Sequence, residues 1–287
     1  MNPIFFQIGS LKIHYYGLMY AIAFYVGIEI AKIRAKKYNI SSDAIENYGF
    51  VAMMSGLLGG RLYYVIFNAE YYFSNPSQIL AVWNGGMAIH GGIIGGIIGT
   101  IIYANRKNLS AFQLGDIVAP SMILGQAIGR IGNFMNGEIH GVPTFTPLNV
   151  IFSVKPKFYE WFNYYNSLSI PERGNYLELV PFGVVFPQTS PAGSEFPNLP
   201  LHPAMLYELV LNLCGFAFLM LFFRKKQYAE GTIWWSYVII YNAIRIVVSF
   251  FRAEDLMMFG IRAPHLISLI MIIVSFGIIK HINKKRV

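Results

Sequence analysis

Charged and amide side chains end a long apolar run near the middle of the chain. Arg130, Asn133, Asn136 and Glu138 stand where hydrocarbon-facing residues are expected. A charge inside a bilayer costs about 2.5–3.5 kcal/mol on insertion scales, so this arginine needs a partner or a function. Its planar fork suits paired hydrogen bonds to phosphate or carboxylate oxygens. The alternative is a glycine packing face whose arginine only extends to the headgroups.

Two further arginines lie inside apolar runs. Arg61 is in the second run and Arg245 in the sixth, where Tyr241 precedes it by one helical turn on the same face. Each arginine falls about 14–16 residues into its run, which places all three at similar depth, roughly 10 Å below the outer boundary. No lysine occupies such a depth, although a snorkelling role would suit lysine equally. The pattern favours chemistry on a phospholipid headgroup.

Possible proton acceptors are predicted near the same level. They are His90, Glu138 and His202, with Tyr16 as a further hydroxyl. A histidine at a helix start is more often structural than catalytic, so both roles stay open for His90. The histidines lack metal-ligand spacing, and we expect no metal and no cofactor. The single cysteine, Cys214, is interpreted as a small core residue of its span and excludes a disulfide framework.

Composition identifies the elements that must position these residues. Hydrophobic residues make up 55% of the 287 residues and charged residues 13%, and the mean hydropathy is +0.48. These values are typical of membrane proteins. Seven apolar segments approach the length of about 20 residues that a bilayer requires. They cover 17–37, 45–67, 86–104, 115–136, 203–223, 231–252 and 263–281. The sequence predicts an all-α polytopic membrane protein.

The net charge of +8 is a topology signal and not a sign of nucleic-acid binding. More than half of the 22 lysines and arginines lie on alternate connections and at the C-terminus, in the segments 32–37, 106–107, 224–226 and 280–286. The positive-inside rule then places the N-terminus outside and the C-terminus in the cytoplasm. The start of the chain lacks the features of a cleaved signal peptide, so the first span is expected to be retained.

Three regions are expected along the chain. Residues 1–136 form an N-terminal interfacial arm and transmembrane helices 1–4, and residues 203–287 form helices 5–7 with a basic cytoplasmic tail. Residues 137–202 lack a membrane-length apolar run and form a small extracytoplasmic head. Within this head, Tyr159–Tyr165 is predicted to be helical and Leu177–Phe186 to contain a strand.

Several motifs carry a resemblance that covers essentially the whole chain. They are His14–Tyr20, Gly85–Gly92, Gly129–Gly141, His202-Pro203 with Leu206–Glu208, and Tyr241 with Arg245. With them the chain resembles the bacterial prolipoprotein diacylglyceryl transferase family. The resemblance implies transfer of the diacylglyceryl group of phosphatidylglycerol to the lipobox cysteine of a prolipoprotein, with a thioether formed and glycerol phosphate released. It also implies the bacterial inner membrane, with the active site facing the outer leaflet.

The resemblance implies roles for the site residues. Arg130 would bind the lipid phosphate, and Arg245 would help to stabilise the leaving group. His90 is the best-placed base for the thiol, because a thiol of pKa about 8.5 needs only modest help. The residues that would orient the substrate or the arginines are Tyr16, Asn133, Asn136, Glu138 and Tyr241.

One position departs from the family pattern. Ser249 stands one turn after Arg245, where family members carry a glutamate. The acidic partner of Arg245 is therefore expected elsewhere, at Glu138, Glu208 or Glu254.

Two rival functions remain open from the residues alone. A lipid transporter or flippase would bind the same anionic headgroup without chemistry, but the sequence lacks an internal repeat and midplane broken helices. A structural membrane subunit would use the polar residues only to hold helices together. The number of intramembrane arginines and the absence of intramembrane lysines argue against that.

Overall fold

The structure is a computed structural model that describes residues 3–9, 11–177, 182–224, 228–253 and 256–284. Its helices, in chain order, are α1 (Tyr15–Ala35), α2 (Ser42–Phe67), α3 (Ala69–Ser74), α4 (Ile89–Lys107), α5 (Ala111–Asn136), α6 (Leu148–Ile151), α7 (Lys155–Ser167), α8 (Ile170–Leu177), α9 (Pro191–Glu195), α10 (Ala204–Phe222), α11 (Thr232–Phe251) and α12 (Ala263–Lys284). Its strands are β1 (Ile4–Ile8), β2 (Leu11–His14), β3 (Met257–Met258) and β4 (Ile261–Arg262).

The predicted apolar segments are long helices. Six helices of the described chain are long and apolar enough to cross a membrane, namely α1, α2, α5, α10, α11 and α12. The third predicted segment, 86–104, corresponds to α4, a helix of 19 residues that is not among these six. The chain is therefore a mostly helical, multi-pass membrane protein. The count of seven crossings and the topology stay predictions.

Residues 28–118 form one compact unit, in which α2 and α4 pack backbone to backbone. A Cβ atom added to Gly91 would collide with the Gly59 carbonyl, and one added to Gly95 would collide with the Ser55 carbonyl. Small residues at such positions allow membrane helices to approach closely and gain van der Waals contact. The glycine-rich face of α4 is therefore packed tightly against α2.

Arg61 is a structural residue of this unit. Its side chain is 2% exposed. Its guanidinium donates to four backbone carbonyls of the α2–α4 connection, those of Ile79 (2.9 Å), Gly85 (2.5 Å), Gly86 (2.8 Å) and Gln78 (2.6 Å). All three guanidinium nitrogens are thus occupied by the loop that follows α2. The interpretation of Arg61 as part of a headgroup-binding arginine cluster is wrong.

The second compact unit consists of residues 1–27 and 119–287. One core lies between α5, α10 and α11, and includes Ile123, Leu219, Ile244 and Val248. A second core fills the head and is rich in aromatic side chains, among them Phe158, Phe186 and Phe196. Each of the three long helices therefore has a fixed position beside the other two.

The structure contains the helix that the sequence predicts in the head. Helix α7 includes the whole of the segment Tyr159–Tyr165, so that prediction is confirmed. The predicted strand in 177–186 falls partly outside the described residues, which omit 178–181. In its described part, Val184 forms an isolated antiparallel bridge with Leu201.

Two local features differ from expectation. The N-terminal arm is an antiparallel hairpin in which β1 pairs with β2, for example Gln7 with Lys12. These strands are too short to produce a clear alternating pattern. Cys214 is exposed on α10, so its assignment to the core is wrong.

We expect Arg61→Lys to lower the free energy of unfolding by about 2–4 kcal/mol, because a single ammonium leaves buried carbonyls without a donor. Thermal unfolding in detergent measures this loss. Arg106→Lys, at an exposed position in the last turn of α4, is the matched control and should leave the Tm unchanged. Equal Tm values for the two variants would contradict the structural role of Arg61.

Candidate active site

The C-terminal turn of α5 determines where the polar side chains lie. Gly137 has a φ of +66°, and the N–H groups of Gly137 and Glu138 donate to the carbonyls of Phe134 (3.2 Å) and Asn133 (3.0 Å). This is a Schellman termination, in which a left-handed glycine reverses the chain. A Cβ atom on Gly137 would also lie 2.8 Å from Ser190 Cβ. The reversal returns Glu138 to the last turns of the helix.

A chain of hydrogen bonds connects five predicted site residues. Arg130 Nη1 donates to Asn133 Oδ1 at 2.9 Å, and Asn133 Nδ2 donates to Tyr16 Oη. Tyr16 Oη donates to Glu138 Oε2 at 3.0 Å, while Asn136 Nδ2 lies 3.4 Å from Glu138 Oε1. The structure therefore brings these five side chains into one site. Their individual roles stay predictions.

Small residues on α5 allow Tyr16 to reach this site. A Cβ atom on Gly132 would lie 3.4 Å from Tyr16 Cα, and one on Gly125 would lie 3.7 Å from Ala23 Cβ. Gly125 and Gly132 are two helical turns apart and share one face of α5. They let the first part of α1 pack directly on the α5 face that carries the site.

Arg130 is paired with a fully buried carboxylate. Its Nη2 lies 2.5 Å from Glu208 Oε1, and the exposed fractions of the two side chains are 16% and 0%. The sequence offers Glu208 as a possible partner of Arg245, whereas the structure pairs it with Arg130. The second Glu208 oxygen and Arg130 Nε are buried without a partner among the described residues. The contacts to Asn133 and Glu208 leave three of the five N–H donors of the guanidinium for an anion.

A short extended segment joins the helices of the site. Gly141 N–H donates to His202 O at 2.9 Å, Val142 N–H donates to Phe251 O at 2.9 Å, and His202 N–H donates to Val142 O at 3.0 Å. A Cβ atom on Gly141 would lie 2.5 Å from His202 O and 2.7 Å from Phe251 O. The end of α5 is thereby connected to the start of α10 and to the end of α11.

Tyr241 and Arg245 lie on α11. The Tyr241 ring is stacked on that of Tyr237 at 6.3 Å, and Gln126 Nε2 donates to Tyr237 Oη at 2.9 Å. Gln126 precedes Arg130 by one turn, so this bond connects α11 to the face of α5 that carries the site. Arg245 is half-buried one turn beyond Tyr241. Its joint action with Arg130 on one phosphate stays a prediction.

Sequence reasoning did not identify Gln126 as a contributor to the site, and it offered Glu208 only as a possible partner of Arg245. Gln126 shares a helix face with Arg130, and Glu208 lies one turn into α10, at a depth similar to that of Arg130 in α5. A carboxylate in an apolar helix at the depth of a buried arginine is the signal that would have found the pair. Glu254, the third alternative considered for Arg245, lies outside the described residues.

His90 belongs to the unit of residues 28–118. It is exposed in the first turn of α4, and its ring lies 6.2 Å from that of Tyr63. Its role as the thiol base stays a prediction. Within the described ranges, no three His, Cys, Asp or Glu side chains converge as metal ligands.

Comparison with known proteins gives a consistent result over almost the whole chain. A family model described as prolipoprotein diacylglyceryl transferase matches residues 3–280. A relative from Fusobacterium nucleatum, named phosphatidylglycerol–prolipoprotein diacylglyceryl transferase, is 64% identical over 99% of both chains. Relatives with the same name from Staphylococcus haemolyticus and Lactobacillus acidophilus are 37% and 34% identical. They match 97% and 96% of this chain, and 87% and 88% of their own lengths.

His202, beside the site, generates a pH-dependent prediction. Its Nδ1 lies 2.9 Å from Tyr207 Oη, and burial lowers the pKa of His202 from 6.5 to about 4. Because folding disfavours the charged ring, its contribution to stability is complete above pH 6.5 and is lost as the pH falls towards 4. We expect His202→Asn to flatten the dependence of Tm on pH in this window. His14→Asn, at an exposed position in β2, is the control and should keep the wild-type dependence of Tm on pH. Equal dependence of Tm on pH in the wild type and both variants would contradict the role of His202.

Proposed function

Because the chain belongs to the prolipoprotein diacylglyceryl transferase family, we propose that the site around Arg130 binds the phosphate of phosphatidylglycerol for transfer of its diacylglyceryl group to a prolipoprotein. The chain is a membrane transferase of lipoprotein biosynthesis. The acceptor is the thiol of the lipobox cysteine. The observation that carries the proposal is the Arg130–Glu208 pair, which holds a guanidinium in a desolvated position with donors left for an anion.

The charge changes of the reaction explain the need for arginine. The thiolate sulfur attacks the glyceryl carbon bonded to the phosphate oxygen, the C–O bond breaks, and a C–S bond forms. The phosphate begins as a diester with one negative charge and leaves as glycerol phosphate with a second charge developing, while the thiol proton passes to a base. Cations placed at the phosphate therefore bind the transition state more strongly than the bound lipid, which lowers the barrier.

The remaining residues of this mechanism position Arg130 or the substrate, supply a second cation, or accept the thiol proton. Glu208 fixes one edge of the Arg130 guanidinium and Asn133 fixes another. Tyr16 and Glu138 extend this support, and their polar groups border the position of the lipid headgroup. Arg245 supplies the second cation. His90 accepts the thiol proton, and Tyr241 orients the substrate or Arg245.

The proposed membrane arrangement follows the charge distribution. Helix α4 is the seventh crossing, the N-terminus and the head of residues 137–202 are outside, and the basic C-terminus is cytoplasmic. The site then faces the outer leaflet of the bacterial inner membrane, where a prolipoprotein presents its signal peptide. Alternating cationic connections support this orientation.

We expect Arg130→Lys to fold and insert but to lose at least ~100-fold in transfer rate, the scale for removing one preorganised donor to a developing oxyanion. Lysine keeps the charge opposite Glu208 but not the paired geometry. Arg245→Lys should behave similarly. The double variant should lose much less than the product of the two losses, because both residues act on one group.

The measurement is the mass of a lipobox peptide after incubation with phosphatidylglycerol and each purified variant in detergent. Arg106→Lys is the control and should transfer at the wild-type rate. Near-wild-type transfer rates in both Arg130→Lys and Arg245→Lys would contradict the proposed role of these arginines in binding the phosphate. A folded wild-type protein that binds phosphatidylglycerol but never modifies the peptide would instead support a lipid transporter.

His90→Gln should lower the rate more at pH 6 than at pH 9, because a thiol of pKa about 8.5 ionises without help at the higher pH. The same peptide assay measures the ratio of rates at the two values. His281→Gln, exposed in the last turn of α12, is the matched control. Equal losses at pH 6 and pH 9 would assign His90 a structural role.

A further inference from the structure

The connection between α11 and α12 is a short hairpin with an apolar tip. Strands β3 and β4 pair Met257 with Arg262 and Met258 with Ile261. Phe259 and Gly260 at the tip have φ values of +53° and +76°, and positive φ at both central residues is typical of a two-residue I′ turn. Phe259 is 90% exposed. Residues 256–261 contain no charged side chain.

Arg262 fixes the base of this hairpin. It is buried, and its Nη1 donates to Ser249 O and lies 3.4 Å from Phe250 O at the end of α11. Its Nη2 donates to Ile151 O at 3.3 Å and to Ser153 O at 3.2 Å in the head. The hairpin is therefore held against both the end of α11 and one edge of the head.

That edge of the head is also apolar and exposed. Leu148, Phe152 and Val154 are exposed, and the Phe152 ring packs on those of Phe250 and Phe251 at 5.1 and 6.2 Å. The edge and the hairpin are joined through Arg262 and these rings. We call the combined surface the apolar rim, which consists of Leu148, Phe152, Val154 and residues 256–261.

The position of the rim in the chain sets its depth. The hairpin joins two helices that are long and apolar enough to cross a membrane, so it lies at a membrane face whichever side that is. Two-residue strands extend only about 7 Å from their base. This is comparable to the polar interfacial zone of a bilayer, which is about 5–8 Å thick on each side of the hydrocarbon core.

The rim is continuous with surfaces that face lipid. Val247 lies one turn before the end of α11 and Ile267 one turn into α12, and both are exposed apolar residues of the spans. We infer that the apolar rim is inserted among the lipids of the leaflet next to the head and anchors the head and the end of α11 at a defined depth. This anchoring is independent of the transfer chemistry.

Site-directed spin labelling tests the inference. Cys214→Ser removes the only cysteine, after which Phe259→Cys and Leu148→Cys are labelled with a nitroxide in separate proteins. The labelled proteins are placed in vesicles of phosphatidylglycerol and phosphatidylcholine. Collision with oxygen, which partitions into lipid, is then compared with collision with a water-soluble nickel chelate.

Two references on the same chain calibrate the result. Ile273→Cys, exposed in the middle of α12, reports hydrocarbon, and Asn163→Cys, exposed on α7, reports water. We expect both rim labels to collide more with oxygen than with the nickel chelate, as the Ile273 label does. Their ratio of oxygen to nickel collisions should be higher than that of the Asn163 label. Nickel accessibility equal to that at Asn163 would overturn the inference. Labels shielded from both reagents would also overturn it, because a protein partner would then cover the rim.

A second variant tests the anchoring role of Arg262. With Arg262→Gln, the hairpin loses its charge-assisted bonds to the head, and the Phe259 label should shift towards nickel accessibility. Arg252→Gln, at the C-terminal end of α11, is the matched control and should leave the Phe259 label unchanged. An unchanged label in the Arg262 variant would show that insertion does not depend on this arginine and would overturn the anchoring part of the inference.

Discussion

A guanidinium inside an apolar helix bundle must be compensated where it stands, and at Arg130 the compensating charge is Glu208. Replacing a buried ion pair with apolar residues is often neutral or stabilising, whereas removing one partner costs about 3–5 kcal/mol. Stability alone therefore does not account for the pair. Together, the two side chains carry no net charge, so the pair offers an anion hydrogen-bond donors but no excess positive charge, and a second cation strengthens the attraction. This explains why the proposed mechanism needs Arg245 as well as Arg130.

The backbone around this pair makes the arrangement possible. The left-handed turn at Gly137 returns Glu138 to the site, and the extended segment at Gly141 joins the start of α10 to the end of α11. The side chains of the site thus come from distant parts of the sequence but depend on one short segment after α5. A shift of that segment would move Glu208 and Glu138 together.

The helices could be predicted from the sequence because bilayer thickness sets the length of an apolar run. All seven predicted segments correspond to helices, with ends that differ by only a few residues. The hydrogen-bond and ion-pair partners of the buried arginines could not be predicted in the same way. Arg61 has the same depth as Arg130 in the sequence, yet one binds loop carbonyls and the other a carboxylate, because depth says nothing about the direction of a side chain. The short strand pairs depend on two to five residues each, too few for an alternating pattern to be evident.

The glycine contacts between α2 and α4 have a consequence for biogenesis. Glycine contributes little hydrophobicity and leaves the peptide groups of α4 poorly shielded, and α4 is not among the six described helices that are apolar enough to cross alone. In the proposed arrangement α4 also crosses the bilayer, and its stability there depends on α2, the helix that covers its glycine face. Since α2 is synthesised first, it is available as a template when α4 leaves the ribosome. The two helices would then pair as α4 inserts. A bulky residue at Gly59 would therefore impair membrane insertion of α4 during synthesis, before any effect on the activity of the folded enzyme.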